Sequence, residues 1–135
     1  MKRKTTERRD PAVGVVDADP GERIALQELL ERGGARVVAY ESAERLLEHR
    51  GAIRLDCLIV DLTLPGISGL ELLRRLRKSR DQLPVILLAQ GSDVRTAVEA
   101  MLAGAVDFIE KPYTNATVLK RVRRLLHDPR PIAGS

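Results

Sequence analysis

Short runs rich in valine, isoleucine and leucine recur along the chain, and each is followed by a polar turn and then by apolar residues three or four positions apart. The first run, Ala12–Asp17, leads into Asp19, Pro20 and Gly21, which suit the start of a helix over about Pro20–Arg32. That helix places Leu26, Leu29 and Leu30 on one face and stops at Gly33 and Gly34. The unit then repeats. Arg36–Tyr40 reads as a strand, and Ser42 caps a helix through His49 with Leu46 and Leu47 inward and Gly51 at its end. Leu55–Val60 is a third strand, followed by a helix over about Ser68–Ser79 that buries Leu70, Leu73 and Leu76. Pro84–Ala89 is the fourth strand, and Val94, Ala97, Val98, Met101 and Leu102 mark a fourth helix. Val106–Glu110 is the fifth strand, and Val118, Val122, Leu125 and Leu126 define the last helix.

Strands that alternate with helices imply a parallel sheet, because parallel neighbours need crossover connections. Leu58-Ile59-Val60 and Val85-Ile86-Leu87-Leu88 are apolar without interruption, as expected of strands covered on both faces. The expected fold is a doubly wound α/β sandwich. Its functional crevice lies at the carboxyl ends of the strands. Those ends and the turns after them supply Asp17-Ala18-Asp19, Asp61, Ala89-Gln90 and Lys111-Pro112.

At 135 residues the chain suits one domain. The expected division is a basic tail over 1–11, the domain over 12–127 and a linker or terminal tail over 128–135. No apolar run approaches the roughly 18 to 20 residues of a membrane helix, and the first ten residues contain no apolar segment that could serve as a secretory signal. A cytoplasmic location is expected. The single cysteine, Cys57, excludes an intrachain disulfide and a zinc site built on paired thiolates; it reads as a small core residue. The formal net charge of +4 is concentrated at the ends, with +3 over residues 1–10 and +4 over 117–135, which leaves −3 for residues 11–116. An acidic domain with only Tyr40, Phe108 and Tyr113 as aromatics offers no stacking platform, so direct nucleic-acid binding is not expected. His49 and His127 sit at helix ends, where a cation complements the dipole, and are assigned no chemistry.

Two carboxylates and one ammonium at one sheet edge, Asp17, Asp61 and Lys111, suit a Mg²⁺ ion and a phosphoryl group: hard oxygens hold the ion and a lysine neutralises phosphoryl oxygens. With these residues the chain resembles the receiver domains of two-component response regulators, over about Val13–Leu126. The likeness is densest in the stretch from Leu58 through Asp61, Pro65, Gly66 and Gly69 to Leu73, and in that from Ala97 through Gly104 and Phe108 to Lys111 and Pro112. It is strongest with the FixJ-like and NtrC-like groups.

The resemblance implies a flavodoxin-like (CheY-like) fold with strand order 2-1-3-4-5 and helices on both faces. It implies a signalling protein, not an enzyme: Asp61 takes a phosphoryl group from a histidine kinase and Lys111 pairs with it. Asp17 and the Thr63 carbonyl serve the metal, and Phe108 is the aromatic that changes rotamer. The Lys111-Pro112 peptide is cis in the family. A homodimer through the last helix face, around Tyr113, Lys120 and Arg124, and a DNA-binding output domain outside this chain are further implications, with transcription as the output.

Two positions depart from the family pattern. Ala18 stands where the second acid of the pair binds Mg²⁺ directly, and Ala89 where a hydroxyl holds the phosphoryl group. A site of Asp17 and Asp61 against Lys111 has a charge of −1 in place of the family's −2, so weakened metal binding and switching are expected. Asp19 is the candidate replacement ligand, and Gln90 or Ser92 the candidate donor, although Ser92 most simply caps the fourth helix. Two other readings compete. Asp17 and Asp19 match the opening of haloacid-dehalogenase-like phosphatases, and a pseudo-receiver could act as an interaction module without phosphorylation.

Overall fold

The structure, a computed structural model, describes residues 10–91 and 94–127. Ser92, most of the basic tail and the segment 128–135 lie outside the described residues. Five strands, β1 (Ala12–Val16), β2 (Arg36–Tyr40), β3 (Cys57–Asp61), β4 (Val85–Gln90) and β5 (Asp107–Lys111), alternate with five helices. The helices are α1 (Pro20–Arg32), α2 (Ala43–His49), α3 (Gly69–Lys78), α4 (Val94–Leu102) and α5 (Asn115–His127). The strands form one parallel sheet in the order β2-β1-β3-β4-β5, as the resemblance implies. None of the described helices is long and apolar enough to cross a membrane.

The two-residue period of a strand divides each apolar run between two cores. Leu58, Val60, Leu87 and Ala89 face one side with Leu46 of α2 and Leu72, Leu73 and Leu76 of α3. Cys57, Ile59, Ile86 and Leu88 face the other, with Leu26, Leu29 and Leu30 of α1 and Val118 and Val122 of α5. The continuous hydrophobicity of β3 and β4 thus serves two layers at once.

Helix boundaries follow side chains seen in the sequence. Asp19, Ser42 and Ser68 cap α1, α2 and α3 by accepting the N–H groups of Gly21, Arg45 and Glu71. Three expectations change. The inward residues of α3 are Leu72, Leu73 and Leu76, and Leu70 is only half-buried, because the helix meets the sheet along a line one step from the three-residue row. In α4 the spacing locates the helix but not its packed face: Ala100 is buried while Val98, Met101 and Leu102 are exposed, Leu102 at 83%. The small Ala100 side chain takes the core position, and the larger side chains stay toward solvent. Pro11, placed with the tail by the sequence, accepts the Arg36 N–H at 2.8 Å and so continues the β1–β2 edge.

The carboxyl edge of the sheet is held by a close approach at Gly69. A Cβ there would lie 2.6 Å from the Asp61 carbonyl oxygen and 2.9 Å from the Leu62 Cα. Only glycine lets the start of α3 rest on the end of β3, where its N–H donates to the Leu62 carbonyl at 3.0 Å.

Candidate functional site

Strands β1, β3 and β5 end at the same edge of the sheet, and each delivers a charged residue there. Asp17 follows β1, Asp61 ends β3 and Lys111 ends β5. Asp17 is almost fully buried (1% exposed). Its N–H donates to the Tyr40 carbonyl, its carbonyl accepts Arg23 Nη1 at 2.7 Å, and its Oδ1 accepts the Asp19 N–H at 3.0 Å. Asp61 Oδ1 accepts the Thr63 N–H at 3.0 Å, and Lys111 Nζ donates to Asp61 Oδ2 at 2.6 Å. The Lys111-Pro112 peptide is cis.

A residue that the sequence reading did not select completes the cluster. Glu22, in the first turn of α1, accepts Lys111 Nζ on Oε1 at 3.0 Å and the Tyr113 hydroxyl on Oε2 at 2.8 Å. Asp19 and Glu22 have the three-residue spacing of a capping box, in which the glutamate turns back to the N–H of the cap. Here that N–H is already bonded to Asp17, and Glu22 points across the sheet edge instead. The signal available in the sequence was a first-turn acid five residues after Asp17, on the helix that starts where β1 ends.

The electrostatics follow from this crowding. Burial, and then the neighbouring Glu22 carboxylate, raise the Asp17 carboxyl from 3.8 to about 7. Burial also raises Glu22, but the neighbouring Asp17 carboxyl and the hydrogen bonds from Lys111 and Tyr113 outweigh it and hold this carboxylate below its ordinary value. Burial lowers Lys111, yet its bonds to Asp61 and Glu22 prevail and the ammonium is held above its ordinary value. Tyr113 is raised by burial and by its bond to Glu22, so its proton stays in place at neutral pH.

A scan against protein-family models matches the response regulator receiver domain over residues 13–123. The chain belongs to the response regulator receiver family. Its relatives include the transcriptional regulatory protein FixJ of Azorhizobium caulinodans, 40% identical over 114 residues, which are 84% of this chain and 54% of that protein. The C4-dicarboxylate transport transcriptional regulatory protein DctD of Pseudomonas aeruginosa is 39% identical over 112 residues, 83% of this chain and 24% of that protein. Among solved structures, full-length FixJ from B. japonicum aligns with a TM-score of 0.85 at 30% identity, covering 94% of this chain and 63% of that one. A structure of FixJ-N aligns with a TM-score of 0.83 at 37% identity, covering 90% and 97%. The receiver thus spans about half the length of the FixJ relatives it matches.

Receivers typically hold Mg²⁺ through acidic residues, and the side chains present fit such an ion. One carboxylate oxygen from each of Asp17, Glu22 and Asp61 lies within 4.8 Å of the others, an all-oxygen set suited to a hard cation. Among the described residues the buried Asp17 Oδ2 has no hydrogen-bond partner.

Other residues of the receiver named from sequence are placed as follows. Ala18 packs against the apolar core, and Asp19 is exposed, with its Oδ1 on the Gly21 N–H. Asp19 is not among the three carboxylates whose oxygens lie together at the sheet edge. Ala89 is buried, while Gln90 is exposed and lies in register with Lys111. Phe108 is half-buried against the core, and Thr63 is exposed beside Asp61. Tyr113 is not part of a free α5 face, since its hydroxyl is bonded to Glu22, whereas Lys120 and Arg124 are exposed. The site charge also changes: three carboxylates against one ammonium total −2 when all are ionised, not −1.

Proposed function

We propose that this receiver accepts a phosphoryl group on Asp61 from the phosphohistidine of a sensor kinase, and that the domain, residues 12–127, passes the change to an output unit beyond this chain. The observation that carries the reading is Lys111 Nζ at 2.6 Å from Asp61 Oδ2, beside the buried Asp17. A carboxylate oxygen of Asp61 attacks phosphorus, the N–P bond of the donor breaks, and the imidazole nitrogen leaves with the electron pair and takes up a proton. Asp61 then carries an acyl phosphate. Lys111 orients the attacking carboxylate and neutralises charge that builds on the phosphoryl oxygens. Asp17, Asp61 and the Thr63 carbonyl would hold a Mg²⁺ ion, which would supply further positive charge against the same oxygens.

Ala89 bears on the step after transfer. A methyl makes no hydrogen bond to the phosphoryl group, a contact worth about 1.5 to 3 kcal/mol where a hydroxyl stands. That is the size of a typical allosteric coupling of about 1 to 3 kcal/mol. The phosphorylated state of this receiver is therefore less biased toward an active conformation. Transcriptional output and dimer formation along the α5 face, at Lys120 and Arg124, belong to the same proposal. The FixJ and DctD relatives, both named as transcriptional regulators, support this output.

Intact-mass spectrometry after incubation with a small phosphodonor, with and without Mg²⁺, tests the reading. A Mg²⁺-dependent phosphoryl adduct that Asp61→Asn abolishes is the expected result. No adduct at saturating donor would leave a module that works through its surfaces alone.

A further inference from the structure

The chain lacks the second acid of the β1 pair, yet the sheet edge retains three carboxylates. The reason is Glu22, which reaches the pocket from the third position of α1. We infer that Glu22 is a relocated metal ligand, supplying to a divalent cation the carboxylate oxygen that Ala18 cannot. This deepens the reading of Asp17, Asp61 and Lys111 as a metal-assisted phosphoryl site and rests on it.

Three observations support the assignment. The first is the orphaned Oδ2 of Asp17: an almost fully buried carboxylate oxygen without a donor among the described residues, in a set whose oxygens approach within 4.8 Å. Buried charges are paired or coordinate metals. The second is the balance of charge. Lys111 bridges Glu22 and Asp61 at 3.0 and 2.6 Å, so a single ammonium serves two carboxylates, and among the described residues no cationic side chain forms an ion pair with Asp17. An ion pair alone would account for one acid opposite Lys111, not for three. The third is the competing role that Glu22 does not take. The Asp19 N–H, its expected partner in a capping box, is bonded to Asp17, and both Glu22 oxygens are directed to the sheet edge by Lys111 and Tyr113. Those two donors fix the carboxylate orientation and leave lone pairs for a cation.

Asp19, the other acid of this loop, is committed to the cap and exposed. It therefore serves as the internal control.

The test uses the full chain and the metal alone. Mg²⁺ and Mn²⁺ are titrated calorimetrically at pH 8 into the native chain, Glu22→Gln, Asp19→Asn and the double variant Ala18→Asp/Glu22→Gln. Thermal melts without metal establish that each variant is folded. Glu22→Gln is expected to weaken binding by about tenfold or more, since losing a ligand costs at least what losing its supporting partners does. Asp19→Asn should stay near the native value, and Ala18→Asp/Glu22→Gln should recover affinity by returning the carboxylate to the β1 turn. Equal affinities of the native chain and Glu22→Gln, an equal loss in Asp19→Asn, or a native chain that binds neither metal at millimolar concentration would each overturn the inference. The readout is independent of phosphoryl transfer. Metal bound through Glu22 with no adduct on Asp61 would retain this inference and remove the phosphoacceptor reading, and the reverse result would do the opposite.

Discussion

The Tyr113 hydroxyl donates to Glu22 Oε2 at 2.8 Å, joining residues 91 positions apart in the chain. The bond ties the first turn of α1 to the loop between β5 and α5, directly behind Lys111. Tyr113→Phe removes a hydrogen bond to a charged group at a half-buried site and should lower unfolding stability by about 1.5 kcal/mol, the lower end for such bonds. Urea denaturation of the two proteins measures the difference. An unchanged midpoint would show that water replaces the hydroxyl without cost.

Asp17 makes stability depend on pH. Its carboxyl ionises near 3.8 in the unfolded chain and near 7 in the folded one, so between these values the folded protein binds more protons. Stability without metal should therefore fall as pH rises from about 4 to 7 and level off above that. Asp17→Asn, which keeps an oxygen for the Asp19 N–H, should flatten the profile. Thermal melts of both proteins across pH 5 to 8 check the sign, and a native profile no steeper than that of the variant would refute it.

Gly69 is the point at which α3 rests on the end of β3. In Gly69→Ala the added methyl meets the Asp61 carbonyl oxygen and the Leu62 Cα, both backbone atoms that cannot rotate away. Overpacking of this kind should cost about 1 to 3 kcal/mol. The amide resonances of Asp61 to Thr63 should move with it, since Asp61 must shift to relieve the contact. A stable variant with unmoved resonances would mean that α3 slides and the strand does not.

Cys57 is fully buried in β3, and burial pushes its thiol up to about 12. The folded protein should be inert to a thiol reagent at pH 8, and the denatured chain should react at the rate of an ordinary cysteine. Rapid labelling of the native chain would show that β3 opens locally.

Much of this was legible from local pattern. The runs around Ile59 and Ile86, the helix start at Asp19 and the cap at Ser42 act between near neighbours in the chain, so the strands and helices appear close to where they are read. The packed face of α4 was not legible, because Val98, Met101 and Leu102 satisfy the same helical period whether they point inward or outward. Ala100 carries too little hydrophobicity to mark the buried position.

The sequence by itself determined the alternation of strand and helix, and with it a parallel sheet whose carboxyl edge gathers Asp17, Asp61 and Lys111. Strand ends are reported by local periodicity, and a parallel sheet aligns them. Only the tertiary structure decided that Glu22 joins them and Asp19 does not. Both acids lie in the α1 start, and by sequence Asp19 was the candidate for the site while Glu22 was not selected. Which of them turns toward Lys111, 89 residues from Glu22, depends on how α1 docks across β1 and on which N–H groups Asp17 has already taken. Packing and hydrogen-bond competition between distant segments settle that choice, and no local pattern encodes it.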